Sequence, residues 1–393
     1  VAKGLGRIPV LAPAAAKLAA DAHFLAQEYA AAVAAYAQAE EAFGGLCADR
    51  AGEALWRAGK AEQGLDRLRE TALCAPWMVH AALRLHDLAF GLHEERAPLP
   101  GSLAVLLYSY ESAAKLDLTL HSLHASLYGD GAGRQAEGQV LVRVLCNGSK
   151  DATAYVIAKW GERFGPCFAG VFLPVNVGAA PARNWLAALP EVAGCDFAVY
   201  LDDDVRLPPD WLARFGAAVA ACPQAGLWGC RVTDFERAAN LQQVDLNLLP
   251  PRQGDSLFSM SDAQLGAQDF GQFSYLRPAT SVTGCCHLFR TAVLRDAGGF
   301  DIRYSPTQYD DLDHDLRLGL AGQRIVYQGH LAVEHMKVSG RALVRSRASS
   351  ANAAANMYKL KHKYGEDEAR ALREQALAAL EHDLTAKLAR LGL

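Results

Sequence analysis

Phe197-Ala-Val-Tyr-Leu-Asp-Asp-Asp-Val205 is the stretch on which the reading of the chain turns. Its apolar and aromatic part reads as a buried strand. Three carboxylates, Asp202, Asp203 and Asp204, stand where that strand should end. Side chains alternate between faces along a strand, so Asp202 and Asp204 point one way and Asp203 the other. Adjacent carboxylates repel unless a cation sits between them. The carboxyl edge of an open α/β sheet is also where ligands bind. The expectation is a divalent metal site serving a phosphorylated ligand. A bare acidic triplet is more often a surface turn. Here the preceding strand is too apolar for an exposed edge, and Leu207-Pro-Pro-Asp-Trp-Leu-Ala-Arg-Phe215 starts an amphipathic helix at once.

Outward from this stretch, strands and helices alternate. Leu103–Tyr110, Gln139–Cys146, Gly170–Val175, Ala225–Val232 and Val282–Phe289 read as strands. Helical patterns occupy Ala113–Leu127, the run up to Phe164, Ala179–Leu189 and Tyr309–Leu320, and Arg324–Tyr327 with Leu331–His335 reads as a strand pair. Such alternation predicts an α/β domain with a mostly parallel sheet and right-handed crossovers. The stretch from about Asp234 to Thr280 reads as a long irregular loop, a kind that tends to carry function.

Residues 1 to 97 look wholly helical, with apolar positions at three- and four-residue spacing. Two helical units there are offset by a little over thirty residues, and "WRAGKAEQGLDRLRETALCAP" resembles a tetratricopeptide repeat. A plain helical bundle accounts for the pattern equally well. Ala97-Pro-Leu-Pro-Gly101 marks a boundary. The expected organisation is a helical domain over 1–97, a catalytic domain over 101–345 and a helical extension over 346–393.

Composition narrows the field. The chain has 393 residues, too many for one compact core, so two or three domains are expected. A net charge of −4 without a basic stripe argues against nucleic-acid binding. Nine cysteines without a CxxC pair point neither to a disulfide framework nor to a zinc site. No run reaches the length of a membrane span, and no signal peptide opens the chain. The start at Val1 suggests a trimmed chain. The expected location is the cytoplasm, compatible with peripheral contact at the inner face of the membrane.

A second acidic cluster lies in Tyr309-Asp-Asp-Leu-Asp-His-Asp-Leu-Arg317. Acids favour a helix start, and Arg317 can pair with Asp313 one turn earlier. Four acids exceed what the helix needs, so one is expected to take a proton from an acceptor hydroxyl. His335 follows Asp311 by twenty-four residues. A lone histidine at a strand end is usually structural. Beside carboxylates holding a metal, it becomes a third ligand suited to a manganese-like ion.

The order of "YSYESAAKLDLTLHSL", "CNGSKDAT", "VNVGAAPARNWLAA", "FAVYLDDDVRLPPDW", "VTGCCHLFR", "GGFD" and "YDDLDHDLRLGLAGQRIVYQGHLAVEHMK" closely resembles family 2 inverting glycosyltransferases of the GT-A fold. The acid-rich helix and the following His-Met are similar to the galactofuranosyltransferase and rhamnosyltransferase branches. The resemblance spans roughly residues 103 to 340. It implies that Asp202 and Asp204 are the DxD pair holding Mn2+ or Mg2+ on the donor diphosphate, completed by His335. Asp311 is implied as the general base, with Asp310 beside it shaping the acceptor pocket. Tyr108, Tyr110, Glu111, Asn147 and Asp151 fall where the family holds the nucleoside. Arg183 and Asn184 match the helix facing nucleotide and sugar, and Asp203 belongs to the same donor site. Ser109-Tyr-Glu-Ser112 replaces the usual Thr-Tyr-Asn-Arg, and Cys146 stands where aspartate is common. The resemblance favours a uridine diphosphate sugar as donor and a glycan, lipid-linked or protein hydroxyl as acceptor.

Two other classes compete. A sugar nucleotidyltransferase would open with a glycine-rich basic loop after the first strand, and Leu106-Leu-Tyr-Ser-Tyr-Glu-Ser112 has neither glycine nor a basic residue. A non-catalytic scaffold, binding a protein partner through the helical repeats, would not need the metal and base positions that this chain keeps.

Overall fold

The computed structural model of the protein describes residues 2–6, 8–129, 139–251, 259–261, 264, 266–336 and 347–393. The expected domain boundary at 345/346, and Lys337 at the end of the last quoted motif, lie outside them. Contacts divide the chain into two units, and neither is a single stretch of sequence. One comprises 1–94, 268–275 and 381–393; the other comprises 95–267 and 276–380.

The first unit is helical: α1 Ala2–Leu5, α2 Ala12–Leu25, α3 Tyr29–Phe43, α4 Gly45–Arg57, α5 Ala61–Cys74 and α6 Val79–Ala89. From α2 to α6 each helix packs on the next in chain order. Alanines at 20, 32, 39, 51 and 54 are buried around Phe24 and Tyr36, their small side chains letting the helices approach closely. The segment from Gln268 to Tyr275 threads into this unit. Phe270 lies beneath the Arg50 guanidinium, 3.8 Å from its ring centroid, and edge-on to Phe24 at 5.3 Å.

Glu53 is 3 % exposed in α4. It accepts two hydrogen bonds from Arg84, at 2.8 and 2.9 Å, and one from Arg57 at 2.8 Å. Burial opposes its charge, yet the two guanidinium groups hold its pKa down to about 2, from 4.5. A depressed carboxylate pKa stabilises fully above 4.5 and loses that stabilisation as pH falls toward 2. Glu53→Gln leaves Arg84 buried without its counter-charge, at an expected cost of about 3–5 kcal/mol near neutral pH. Urea melts at neutral and acid pH test this: the variant should be weaker at neutral pH and show a flatter acid limb. Equal stability of the two proteins at pH 7 would refute it.

The second unit is mixed α/β. Its elements are β1 Leu103–Ser109, α7 Ala113–Tyr128, β2 Val140–Asn147, α8 Thr153–Phe164, β3 Phe168–Leu173, α9 Ala179–Ala187, α10 Pro190–Ala193 and β4 Phe197–Leu201. Then come β5 Val205–Arg206, α11 Trp211–Ala221, β6 Ala225–Asp234, β7 Leu241–Gln243, β8 Leu248–Leu249, β9 Ser259–Met260, β10 Leu276–Ala279 and β11 Cys286–Arg290. α12 Thr291–Asp296, α13 Asp310–Leu320, β12 Arg324–His335, α14 Arg347–Lys361 and α15 Glu366–Leu391 follow, the last continuing into the first unit.

The main sheet runs β10-β12-β6-β11-β4-β1-β2-β3, with β5 on β12 and β7 on β6. β4 is buried along its length beside β1, as its apolar sequence requires. β3, β2, β1 and β4 are parallel, β11 runs against β4 and β6, and β12 is parallel to β6. The carboxyl ends of β1, β4 and β12 therefore share one edge. Two expectations need correction. The strand pair at 324–335 is one strand whose register shifts between Gln328 and Ala332; a bulge absorbs Gly329, His330 and Leu331 without a turn. The loop from Asp234 to Thr280 carries four short strands among its described residues.

Candidate active site

The acidic triplet sits at the carboxyl end of β4 and divides as strand alternation requires. Ser109 Oγ, at the end of β1, donates to Asp203 Oδ2. Asp202 and Asp204 face the end of β12 instead. They meet His335 because β5 continues past the triplet and pairs with β12, Val205 opposite His335. Met336 N donates to Asp204 O at 2.7 Å and fixes that register.

His335 Nε2 lies 2.9 Å from Asp204 Oδ1 and 3.8 Å from Asp202 Oδ2. One ligand atom from each of the three residues falls within 4.8 Å of the others. Gln242 Nε2 donates to the His335 carbonyl at 3.3 Å, which turns its Oε1 toward His335 Nδ1 at 2.8 Å. An amide oxygen only accepts, so Nδ1 carries a proton and Nε2 faces the carboxylates. Nε2 is buried and makes no contact of hydrogen-bond geometry among the described residues. A ring nitrogen turned onto two carboxylates is satisfied by a proton or by a cation between them. An imidazole fixed by a polar neighbour, together with two carboxylates, suits Mn2+ or Mg2+. The residues fit the ion that the family implies.

Burial opposes the charge of Asp204, but His335 and the Lys115 ammonium, 3.1 Å from its Oδ2, hold its pKa down to about 2. Asp203 behaves oppositely. Burial, reinforced by the two flanking aspartates and opposed by Ser109, pushes its pKa up to about 7.

The acid-rich helix α13 follows two residues with left-handed backbone, Gln308 at φ 81° and Tyr309 at φ 71°. Such strain persists only where surroundings enforce it. Asn356 of α14 does so, donating to the carbonyls of Tyr304, Thr307 and Gln308 at 2.7, 2.9 and 3.2 Å. The four acids then separate by partner. Asp313 is tied to Lys363, Tyr364 and Arg317, and Asp315 to Ser281, Val282 N and His287; both are fully buried. Asp310 is 2 % exposed and paired directly with Arg183. Burial and the neighbouring Asp311 raise its pKa against the pull of that guanidinium. Asp311 alone is half-buried; its Oδ2 accepts from Gly284 N at 2.9 Å and its Oδ1 from Leu312 N at 2.8 Å.

Arg183, on α9, bridges the two acidic clusters. Beside Asp310 it lies 3.7 Å from Asp202 Oδ1, and its guanidinium sits 5.4 Å from the Tyr108 ring centroid. A Cβ on Gly284 would come within 2.8 Å of Arg183 Nη2 and 2.9 Å of Asp311 Oδ2. Gly284→Ala should therefore displace both functional groups while sparing the fold. Displacements near 1 Å cost about 10²-fold in rate. Steady-state kinetics alongside a melting curve would check this, and wild-type kcat would refute it.

Not every expected residue is where the resemblance implies. Asn184 gives both amide atoms to Phe300, accepting from its N at 2.7 Å and donating to its O at 2.8 Å. That occupation leaves it holding the Gly299-Phe300 turn instead of facing a donor. Asp151 ties the starts of α7 and α8 together through Ala113 N and Thr153, using both oxygens. It braces the starts of both helices. Asn147 is 2 % exposed and holds the loop before α9 through Val177 N and Gly178 O. Glu111, at φ 52°, accepts from Lys150 N at 2.8 Å and so joins the loops after β1 and β2, while Tyr110 is 48 % exposed beside it. Lys115, Gly284 and Gln242 were not singled out in the sequence. The first two lie inside quoted motifs; Gln242 lies in the stretch that reads as loop and carries no signal.

A sheet with these clusters along its carboxyl edge is the arrangement expected of a GT-A glycosyltransferase. Residues 100–356 match the family described as glycosyltransferase like family 2, more than half of the chain, and the chain belongs to that family. Over 143 residues it is 28 % identical to "Probable glucomannan 4-beta-mannosyltransferase 6" of Oryza sativa subsp. japonica, covering 36 % of this chain and 22 % of that relative. The chain thus spans about a fifth of the length of that relative. Among solved structures, the mannosyltransferase PcManGT of Pyrobaculum calidifontis, in complex with GDP-Man and Mn2+, shows 16 % identity. It covers 80 % of this chain and 87 % of its own, with TM-score 0.47. Residues 1–349 of TarS from S. aureus show 16 % identity, 70 % coverage of each chain and TM-score 0.46. Among the described residues, no helix is long and apolar enough to cross a membrane.

Proposed function

We propose that the chain is an inverting hexosyltransferase that moves a sugar from a nucleoside diphosphate, uridine diphosphate favoured, to a hydroxyl of a glycan, lipid-linked or protein acceptor. The observation that carries the reading is His335 Nε2 held against Asp202 and Asp204 by Gln242. Asp202, Asp204 and His335 would hold Mn2+ or Mg2+, which when bound neutralises charge on the leaving diphosphate.

This chain's own residues supply the rest. Asp311, the half-buried acid of α13, accepts the proton of the acceptor hydroxyl. The acceptor oxygen then bonds to the anomeric carbon as the bond to the diphosphate oxygen breaks, inverting that centre in one displacement. No enzyme nucleophile is required. Asp310 and Arg183 keep the base and donor sites in register, and Tyr108 and Tyr110 offer aromatic surface to the nucleoside. The helical first unit, read as repeat-like, is a candidate surface for a protein partner. A cytoplasmic location, with or without contact at the inner membrane face, fits this use of soluble donors.

Calorimetric titration with uridine, guanosine and thymidine diphosphates, each with manganese and with chelator, tests the reading. One nucleotide should bind in a metal-dependent manner. Absence of binding by all three would overturn it and favour the scaffold reading.

A further inference from the structure

Lys115 occupies the first turn of α7, where the helix dipole disfavours a positive charge. Its Nζ lies 3.1 Å from Asp204 Oδ2, while the other oxygen of that carboxylate faces His335 at 2.9 Å. An ammonium here works against both the helix end and a cation at the three-residue cluster. Its side chain is 44 % exposed, so the stem is free to swing. A negatively charged ligand beside the cluster removes both disadvantages.

We infer that Lys115 makes cation and nucleoside diphosphate bind cooperatively. Without nucleotide it occupies Asp204 and weakens cation binding; when the diphosphate arrives it transfers to the phosphate oxygens and releases Asp204 to the cation. The inference rests on the donor site proposed above. Linkage makes the effect reciprocal: nucleotide strengthens cation binding by the factor by which cation strengthens nucleotide binding, typically about 5–150-fold.

The test is calorimetry on the wild type, Lys115→Met and Lys115→Arg, with MnCl2 alone, with uridine diphosphate alone, and with uridine diphosphate at saturating manganese. Lys115→Met should bind manganese alone about tenfold more tightly and uridine diphosphate with manganese about tenfold more weakly, so that the coupling factor collapses toward the lower end of that range. Lys115→Arg, which keeps the charge, should retain most of the coupling. Circular dichroism confirms that each variant is folded. Shifts of the same sign for both ligands in Lys115→Met, or no shift, would overturn the inference while leaving the donor site standing. A wild type that binds neither manganese nor any of the three diphosphates would remove the donor-site reading and this inference with it.

Discussion

Asp311→Asn lowers kcat by about 10²–10⁴-fold, the usual loss when a general base is removed, while manganese and nucleoside diphosphate bind as in the wild type. The variant removes basicity and one of two backbone contacts, that from Leu312 N. Asn keeps a side-chain oxygen that can accept from Gly284 N, the contact that orients Asp311 at 2.9 Å. It leaves the Arg183–Asp310 pair intact. The expected signature is therefore a fall in kcat with an unchanged dissociation constant for nucleotide. Asp310→Asn should behave differently. Arg183 would lose its buried counter-charge, so stability and donor binding should suffer together, because breaking a buried pair costs about 3–5 kcal/mol. Comparing the two variants by single-turnover kinetics and by melting separates base from positioning residue. If Asp310→Asn loses the chemical step while Asp311→Asn keeps it, the assignment of the base is reversed.

The sequence showed this much because strand alternation and fixed motif order are local properties. Asp202 and Asp204 could be put on one face, and Asp203 on the other, from spacing alone. What could not be read depends on contacts distant in sequence. Nothing near Asp313 or Asp315 tells that Lys363, Tyr364, Ser281 and His287 will absorb their charges. Only those pairings leave Asp311 as the acid of α13 that is half-buried. The resemblance placed Asn184 by its neighbour Arg183, yet adjacent helical residues point about 100° apart. One reaches the acids and the other the Phe300 backbone. Gln242 sits in a three-residue strand too short for periodicity to mark. The segment from Gln268 to Tyr275 belongs with the helical unit because Phe270 is buried there, and scattered aromatics in a polar loop do not announce their docking site.

Asp204→Ala should abolish metal-dependent nucleotide binding and reduce transfer by roughly 10³-fold, the equivalent of several kcal/mol of charge stabilisation at the leaving group. Asp204 is the residue on which the site's charges converge: its Oδ1 faces His335 at 2.9 Å and its Oδ2 faces Lys115 at 3.1 Å. Alanine deletes a cation ligand and also leaves Lys115 as an uncompensated positive charge at the mouth of the cluster. Cation binding is penalised twice. The fold should survive, since Lys115 is 44 % exposed and can turn to solvent, and since the backbone contact from Met336 N to Asp204 O does not need the side chain. Ligand linkage gives a readout independent of turnover: manganese should raise the Tm of the wild type and leave that of Asp204→Ala unmoved. His335→Ala should fall between them, because two carboxylates remain to hold the ion. Asp311→Asn should show the full manganese shift despite its lost chemistry, so the pair of variants divides the site into a half that binds the donor and a half that activates the acceptor. Undiminished manganese stabilisation of Asp204→Ala would place the cation elsewhere and dissolve that division.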